Sequence, residues 1–196
     1  TGVDEESFQL DNSYSTPPDI FNNSKRVLFR GKYNPEAGIE VLAEATKLLS
    51  KEQITFWVFC PSLPINIDFS SNTFISRDIL SKGKISKLQK ACTISLGQLA
   101  KHNRLNRTIP HKAFESAFLS TPYLTAGNKG ISELFADGVE IACFSPGNSL
   151  ALVDGIRNLF SDHDKLNEMS SLSHKKYQNI CNQEMLSRDF LKIVVT

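Results

Sequence analysis

The most informative charged side chains of the sequence lie within residues 107–140. Pro110 begins a predicted helix, and Lys112 and Glu115 stand in its first turns. A helix start carries unpaired backbone N–H groups and a partial positive charge, so anions bind well there. A lysine in that turn is unfavourable to the helix dipole unless an anion lies nearby. Lys112 therefore indicates a phosphate site, and Glu115, one turn further on, can accept hydrogen bonds from vicinal hydroxyls.

A second cluster, residues 29–38, follows the first predicted strand. The strand ends in Gly31 and Lys32 before a helix begins near Pro35. Ligands of open α/β sheets bind beyond the carboxyl ends of the strands, so Lys32 is placed to meet a phosphate. The glycines of a third segment, residues 126–130, can let the backbone approach a ligand closely.

Each cluster also has a plainer interpretation. Lys112 can be a solvated surface lysine, and Glu115 can pair with it across one helical turn. The segment around Lys32 can be an ordinary turn between a strand and a helix, and the glycines of residues 126–130 can simply make turns. The residues by themselves leave these alternatives open.

The elements that must position these clusters alternate between short apolar strands and amphipathic helices, which is typical of a parallel sheet. Residues 26–30 form the first predicted strand, and a helix then begins with Asn34 as its N-cap and Pro35 in its first turn. Residues 54–60 (ITFWVFC) are too apolar to form a strand with a solvated face, which predicts a central strand covered on both faces. The apolar residues of the first helix share one face: Ile39, Leu42, Ala45, Leu48 and Leu49.

The remaining segments continue this alternation after a lead-in rich in Ser, Asn and Pro. Further strands are predicted at residues 74–76, 92–96, 123–125 and 139–144. Further helices are predicted at residues 84–90, 110–119 and 131–135, after an Asn148 cap, and within residues 163–193. The predicted organisation is a linker or lead-in at residues 1–25, one domain at residues 26–180, and a C-terminal helix or tail at residues 181–196.

Composition narrows the classes of function. The chain has 196 residues, 40% of them apolar, and a formal charge of +1. One globular domain is therefore expected, with no general attraction to nucleic acid or to an anionic membrane. Four separated cysteines without a CxxC pair are expected to be buried free thiols. No apolar run is long enough to span a bilayer, and the acidic start TGVDEESF lacks the features of a signal peptide, so a cytoplasmic location is expected.

Several familiar site motifs are absent from the sequence. No GxGxxG follows the first strand, and neither GxxxxGK[ST] nor GxSxG occurs. Dinucleotide, P-loop and serine-nucleophile sites are therefore not indicated. The four histidines do not pair at metal-ligand spacings, so neither a zinc site nor a metal cofactor is expected.

The order of the elements resembles the C-terminal domain of family 4 retaining glycosyltransferases. The resemblance covers residues 27–177 and is carried, in order, by GKYNPEAGIEVL, PHKAFESAFLSTPYLTA, SELFADGVE and SPGNSLALVDGIRNLFSD. It implies a Rossmann-like, three-layer α/β/α domain with a mostly parallel sheet, the C-terminal half of a GT-B enzyme. The start TGVDEESF is similar to the linker that follows the family's N-terminal domain. The chain is therefore expected to be the donor-binding half of a two-domain enzyme.

The resemblance also implies roles for individual residues. Gly31 and Lys32 match the family's Gly-Arg pair that binds the donor diphosphate, and Glu115 matches the carboxylate that holds the nucleotide ribose. Lys112 belongs to a PxKxxE variant of the family motif and is expected, with Lys32, to act on the diphosphate during catalysis. The other expected donor-binding residues lie just before and at the helix start: Arg107, Thr108, Ile109, Pro110 and His111.

Two positions depart from the family pattern. Ala37 stands where the family has a phosphate-binding lysine. Arg107 stands where the family has the first glutamate of a Glu-x7-Glu motif. Lys112, Arg107 or Arg30 can supply the cation that is missing at position 37, or the departures can mean that donor chemistry has been lost.

The resemblance implies that the chain binds a nucleoside-diphosphate sugar, such as a UDP-sugar, as its donor substrate and needs no cofactor. The expected role of the enzyme is polysaccharide or glycoconjugate synthesis. Lysine side chains and helix amides would stabilise the departing diphosphate. A separate N-terminal domain would hold the acceptor and make any peripheral membrane contact, so this chain alone is expected to be inactive. Two other interpretations remain open. The chain can be half of a non-hydrolysing sugar-nucleotide epimerase, or a degenerate domain that only binds a partner.

Overall fold

The computed structural model describes residues 3–21, 25–182, 184, 185 and 187. Its strands are β1 (Lys25–Arg30), β2 (Ile54–Phe59), β3 (Thr73–Ser76), β4 (Ile94–Leu96), β5 (Tyr123–Ala126) and β6 (Ala142–Phe144). These strands form one sheet in the order β3-β2-β1-β4-β5-β6, and every neighbouring pair is parallel. The predicted α/β fold with a parallel sheet is confirmed.

Helices connect the strands. They are α1 (Ile39–Leu48), α2 (Lys82–Ala91), α3 (His111–Phe118), α4 (Lys129–Ser132), α5 (Ser149–Ser161) and α6 (His163–Lys176). The last helix continues into a π-helical turn, Tyr177–Cys181, and short 3-10 turns occur at Glu5–Phe8 and Asn103–Asn106. Asn148 caps α5 as predicted, since its side-chain oxygen accepts a hydrogen bond from the Ala151 N–H at 3.1 Å.

The core lies on both faces of the sheet. Val27 and Phe29 of β1 point to one face, where they pack in a cluster with residues of α1 and α5. Leu28, between them, belongs to a second cluster with Trp57 and with Leu88 of α2. Side chains alternate along a strand, so a strand covered on both faces is apolar at most of its positions. This explains the composition of β2, in which Thr55 is the one polar residue, and it confirms the strand predicted there from the sequence.

The strand order creates a crevice beside β1. From β1 the chain moves outward to β2 and then β3, and α2 returns it to β4 on the other side of β1. The loops that leave β1 and β4 therefore run in opposite directions and separate at the carboxyl edge of the sheet. This topological switch point is where open α/β sheets bind their ligands.

The start of the first helix differs from the prediction. Asn34 caps a separate turn, in which its side-chain oxygen accepts a hydrogen bond from the Ala37 N–H at 2.9 Å. Helix α1 begins only at Ile39, because Gly38 adopts a left-handed conformation with φ of 67° that interrupts the helical path. The predicted start at Pro35 is therefore wrong by one turn. Leu48, assigned to the buried face, is 44% exposed at the end of the helix.

Two elements near residue 140 also differ in their bounds. Helix α4 begins at Lys129, earlier than predicted, because the Asn128 side chain caps it by accepting a hydrogen bond from the Ile131 N–H. Strand β6 begins at Ala142 rather than at position 139. The residues before it form a turn that is held by the Asp137 carboxylate, which accepts a hydrogen bond from the Cys143 N–H at 2.7 Å.

The predicted lead-in contacts the domain that follows it. Val3 and Phe8 are buried in an apolar cluster with residues of α3 and of the π-helical turn. The Tyr177 hydroxyl accepts a hydrogen bond from the Val3 N–H and donates one to Glu5. These contacts fix residues 3–8 against the domain, although the sequence suggested only an extended segment. The tail predicted at residues 181–196 falls mostly outside the described residues.

The four cysteines are free thiols. Cys60 and Cys181 are buried, as expected, whereas Cys92 and Cys143 are half-buried. Burial raises the pKa of Cys92 to about 12, so its thiol stays protonated at neutral pH. Within the described part of the chain, no helix combines the length and the apolar character that a bilayer crossing requires.

Candidate functional site

A cleft of about 420 Å³ opens at the carboxyl edge of the sheet, where the loops after β1 and β4 separate. The start of α3 and the loop before it form its other wall. Polar and charged side chains make up most of the lining of the cleft, together with three apolar residues: Arg30, Asn34, Glu36, Gln98, Arg104, Leu105, Thr108, Ile109, Pro110, His111, Lys112 and Glu115.

Lys112 places an ammonium group at the base of the cleft. Its Nζ donates a hydrogen bond to the Gly97 carbonyl oxygen at 3.2 Å and lies 4.5 Å from the centre of the Phe29 ring. Burial, followed by the nearby positive charge of Arg30, lowers the pKa of Lys112 to about 7. The group is therefore close to half-protonated at neutral pH, and an anion beside it would favour the charged form.

Arg30 and Glu115 form an ion pair beside Lys112. Arg30 is the last residue of β1, and its Nη2 contacts Oε2 of Glu115 on α3. Both side chains are about one-tenth exposed, 11% and 10% respectively, so water screens the pair only weakly. The Nε of Arg30 is buried and has no hydrogen-bond partner among the described residues. The Arg30 guanidinium thus retains donor capacity at the cleft.

The start of α3 forms the wall of the cleft next to Lys112 and Glu115. Pro110 occupies the N-cap position and provides no side-chain hydrogen bond to the first turn. His111 follows it, with Nδ1 at 3.3 Å from Oε1 of Glu115. An uncapped helix start leaves backbone N–H groups available to an anionic ligand.

A second ion pair joins the two walls of the cleft. Glu36, in the turn before α1, accepts a hydrogen bond from Nη1 of Arg104 at 3.1 Å, and Nδ1 of His102 lies 3.8 Å from the same carboxylate oxygen. Burial alone would raise the pKa of Glu36. A backbone hydrogen bond and the charge of Arg104 outweigh it, so the pKa is lowered and the carboxylate is ionised at neutral pH.

No protein-family model matches the sequence, and no curated protein matches it either. Solved structures do match. The C-terminal domain of a group 1 family glycosyl transferase, LpcC from Francisella tularensis, aligns with a TM-score of 0.70 at 14% identity over 93% of this chain and 100% of that chain. A glycosyltransferase from Rickettsia africae aligns with a TM-score of 0.72 at 16% identity over 98% of this chain and 54% of that chain.

HepE from Anabaena, solved in complex with UDP-glucose, aligns with a TM-score of 0.72 at 14% identity over 88% of this chain and 49% of that chain. The chain has the fold of a GT-B glycosyltransferase C-terminal domain. Identities this low establish the fold alone. The chain spans the full LpcC domain but only about half the length of the other two proteins.

Within this GT-B fold, six of the nine residues predicted for the site line the cleft together: Thr108, Ile109, Pro110, His111, Lys112 and Glu115. Gly31 lies directly beneath, since a Cβ built on it would be 3.5 Å from Nζ of Lys112. Lys32 and Arg107 are exposed and do not line the cleft. The structure thus assembles the predicted helix start but leaves these two cations outside.

The departure at position 37 has a structural consequence. Ala37 is 1% exposed and packs in the core beneath the turn, so its side chain does not face the cleft. Arg30 supplies a cation at the cleft instead, from the position just before Gly31. The sequence analysis named Arg30 only as a possible substitute for this cation, and it did not indicate Glu36 or Arg104. For Arg30 the available signal was its place as the last residue of a strand at the carboxyl edge.

Proposed function

We propose that this chain binds a nucleoside-diphosphate sugar in the cleft and serves as the donor-binding half of a glycosyltransferase. The observation that carries the proposal is the uncompensated charge at the base of the cleft. There, among the described residues, Arg30 and Lys112 share one nearby carboxylate, Glu115. A diphosphate would supply the missing negative charge next to the uncapped start of α3. The topological switch point and the fold shared with GT-B domains support the same interpretation.

The proposed reaction is metal-independent transfer with retention at the anomeric carbon. The bond from that carbon to the diphosphate oxygen breaks, an acceptor hydroxyl oxygen takes its place, and the hydroxyl proton leaves with the released nucleoside diphosphate. Lys112 and the first amides of α3 would stabilise the charge on the leaving group. Lys32, exposed after β1, would reach the diphosphate only if its side chain turned toward the cleft.

A second domain would hold the acceptor. The proposal is supported by the length of the Rickettsia and Anabaena proteins, each about twice the span that this chain matches. Such a domain would close over the donor and exclude water. The chain by itself would then bind the donor without transferring it. We place the complete enzyme in the cytoplasm, in polysaccharide or glycoconjugate synthesis, with any membrane contact made by the second domain.

Calorimetric titration of the chain with UDP, GDP and their sugars tests the proposal. We expect saturable binding of at least one nucleoside diphosphate below millimolar concentration. The corresponding nucleoside should bind more weakly, because it lacks the charges that Lys112 and Arg30 would meet. Absence of saturable binding by every nucleotide at millimolar concentration would reject donor binding.

A further inference from the structure

We propose that Arg30 is a shared counter-ion, which pairs with Glu115 in the free cleft and moves to the diphosphate when the donor binds, so that Glu115 becomes available to the ribose. This inference rests on the proposed function. It identifies Arg30 as a positioning residue that couples recognition of the phosphates to recognition of the sugar of the nucleoside.

The first argument is the state of the Glu115 carboxylate. Its Oε2 is engaged by Arg30, and its Oε1 lies 3.3 Å from His111 Nδ1. The side chain is only 10% exposed, so little of the carboxylate is open to a ligand. A ribose hydroxyl would have to compete with a charged donor for Oε2. Glu115, to which the family resemblance assigns the ribose, is therefore not accessible to a ribose hydroxyl in the free cleft.

The second argument is the unused capacity of Arg30. A guanidinium has five N–H donors in a rigid fork that suits phosphate oxygens. In the free cleft, Nη2 contacts Glu115, while the buried Nε has no partner among the described residues. Burying a charged donor without an acceptor is unfavourable. A diphosphate at the cleft would provide acceptors for this fork.

The third argument is the charge balance. Lys112 lies close enough to Arg30 for the positive charge of Arg30 to disfavour the protonated ammonium, whereas Glu115 favours it. The hydrogen-bond partner of Lys112 is the neutral Gly97 carbonyl. Two basic side chains beside one carboxylate leave net positive charge in a weakly screened place whenever Lys112 is protonated. A diphosphate relieves this imbalance, and once it has done so Arg30 no longer depends on Glu115 for neutralisation.

Substitution of Glu115 distinguishes recognition of the phosphates from recognition of the ribose. In Glu115→Gln, Arg30 loses its competing carboxylate, so inorganic pyrophosphate should bind several-fold more tightly, on the order of 3- to 10-fold. UDP should not share this gain, because the variant also loses the charged acceptor for the ribose. We expect the ratio of UDP affinity to pyrophosphate affinity to fall by about 10-fold or more. Both affinities are measured by calorimetry.

A double-mutant cycle shows whether Arg30 is responsible. In an Arg30→Gln background, Glu115→Gln should no longer tighten pyrophosphate binding appreciably, because the guanidinium that the loss of Glu115 would free is absent. Glu36→Gln is the matched control, since it removes another lining carboxylate whose cation is Arg104. It should give a smaller gain that persists without Arg30. If Glu115→Gln tightened pyrophosphate binding equally with and without Arg30, the effect would be one of general charge removal and the inference would be overturned.

A measurement on the unmodified chain keeps the inference testable if a variant does not fold. Saturating pyrophosphate should shift the side-chain Nε–H resonance of Arg30 in arginine-labelled protein, because the guanidinium exchanges Glu115 for phosphate oxygens and its unpartnered Nε–H gains an acceptor. An unmoved resonance at saturation would overturn the shared role of Arg30 while leaving donor binding intact. If the chain binds neither UDP nor pyrophosphate, the proposed function fails as well, so the two failures are distinguishable.

Discussion

The ammonium of Lys112 donates a hydrogen bond to the backbone carbonyl oxygen of Gly97 at 3.2 Å. This contact joins α3 to the residue that follows β4, at the base of the cleft. Gly97 is tightly enclosed, because a Cβ built on it would lie 2.3 Å from both the Tyr123 hydroxyl and Thr125 Oγ1. The lysine thus meets a neutral carbonyl oxygen, and Glu115, the carboxylate that favours its charged form, is engaged by Arg30.

Lys112→Met should weaken nucleoside-diphosphate binding by roughly 1–3 kcal/mol, the scale of a charge-assisted hydrogen bond. Methionine keeps much of the apolar contact with Phe29 while removing the charge, so the fold should persist. Lys90→Met, at the exposed end of α2, is the control and should bind like the unmodified chain. Calorimetry measures both variants. Equal affinity in the two variants would show that Lys112 does not contribute to nucleoside-diphosphate binding.

Donor binding should take up protons at pH 8. With a pKa of about 7, Lys112 is mostly neutral at that pH in the free cleft. A bound diphosphate favours the charged ammonium and raises this pKa, so the complex holds more protons than the free protein. Below pH 6 Lys112 is already protonated, and its uptake should vanish. Titrations in buffers of different ionisation enthalpy measure the uptake, which should be absent from Lys112→Met at pH 8.

Gly38→Ala should destabilise the chain by at least about 2 kcal/mol, because strain and steric overlap add there. Its φ is 67°, and a Cβ would lie 2.6 Å from the Ala100 backbone nitrogen. Gly138→Ala is the matched control, since its φ is 75° but nothing lies within 4 Å of the added atom. That control should lose only about 1–2 kcal/mol. Urea unfolding compares the two, and equal losses would contradict the importance of the close approach.

Tyr177→Phe should release residues 3–8 from the domain. The variant loses the hydroxyl that bonds the Val3 N–H at 3.3 Å and Glu5 Oε1 at 3.1 Å, at a cost of about 1 kcal/mol in stability. Limited proteolysis should then cut this segment faster. The control is Tyr33→Phe, whose exposed hydroxyl bonds Glu40, and it should change stability by less than about 0.5 kcal/mol. Unchanged cleavage in Tyr177→Phe would show that apolar packing alone holds the segment.

Elements whose sequence signals are local could be predicted before the structure was known. The apolar run of β2 and the alternation of strands with amphipathic helices predicted the parallel sheet, because burial on both faces imposes a pattern that neighbouring residues carry. The Asn148 cap and the clustering of Lys112 and Glu115 at the start of α3 were also readable, since each depends on a few adjacent residues. The start of α1 could not be predicted in this way. Asn34 and Pro35 are typical of a helix start, but the left-handed conformation of Gly38 delays the helix until Ile39.

The pairing of the charged side chains at the site depends on the tertiary structure. Arg30 and Glu115 are 85 residues apart in the chain, and Glu36 and Arg104 are 68 residues apart. No periodicity links such positions, so they meet only because the switch point places the ends of β1 and β4 beside α3. The same placement leaves Lys112 half-buried and Lys32 exposed, although the family resemblance implied the same role for both lysines. Burial depends on the complete fold, and it is burial that sets the pKa of Lys112 and the weak screening of the Arg30–Glu115 pair.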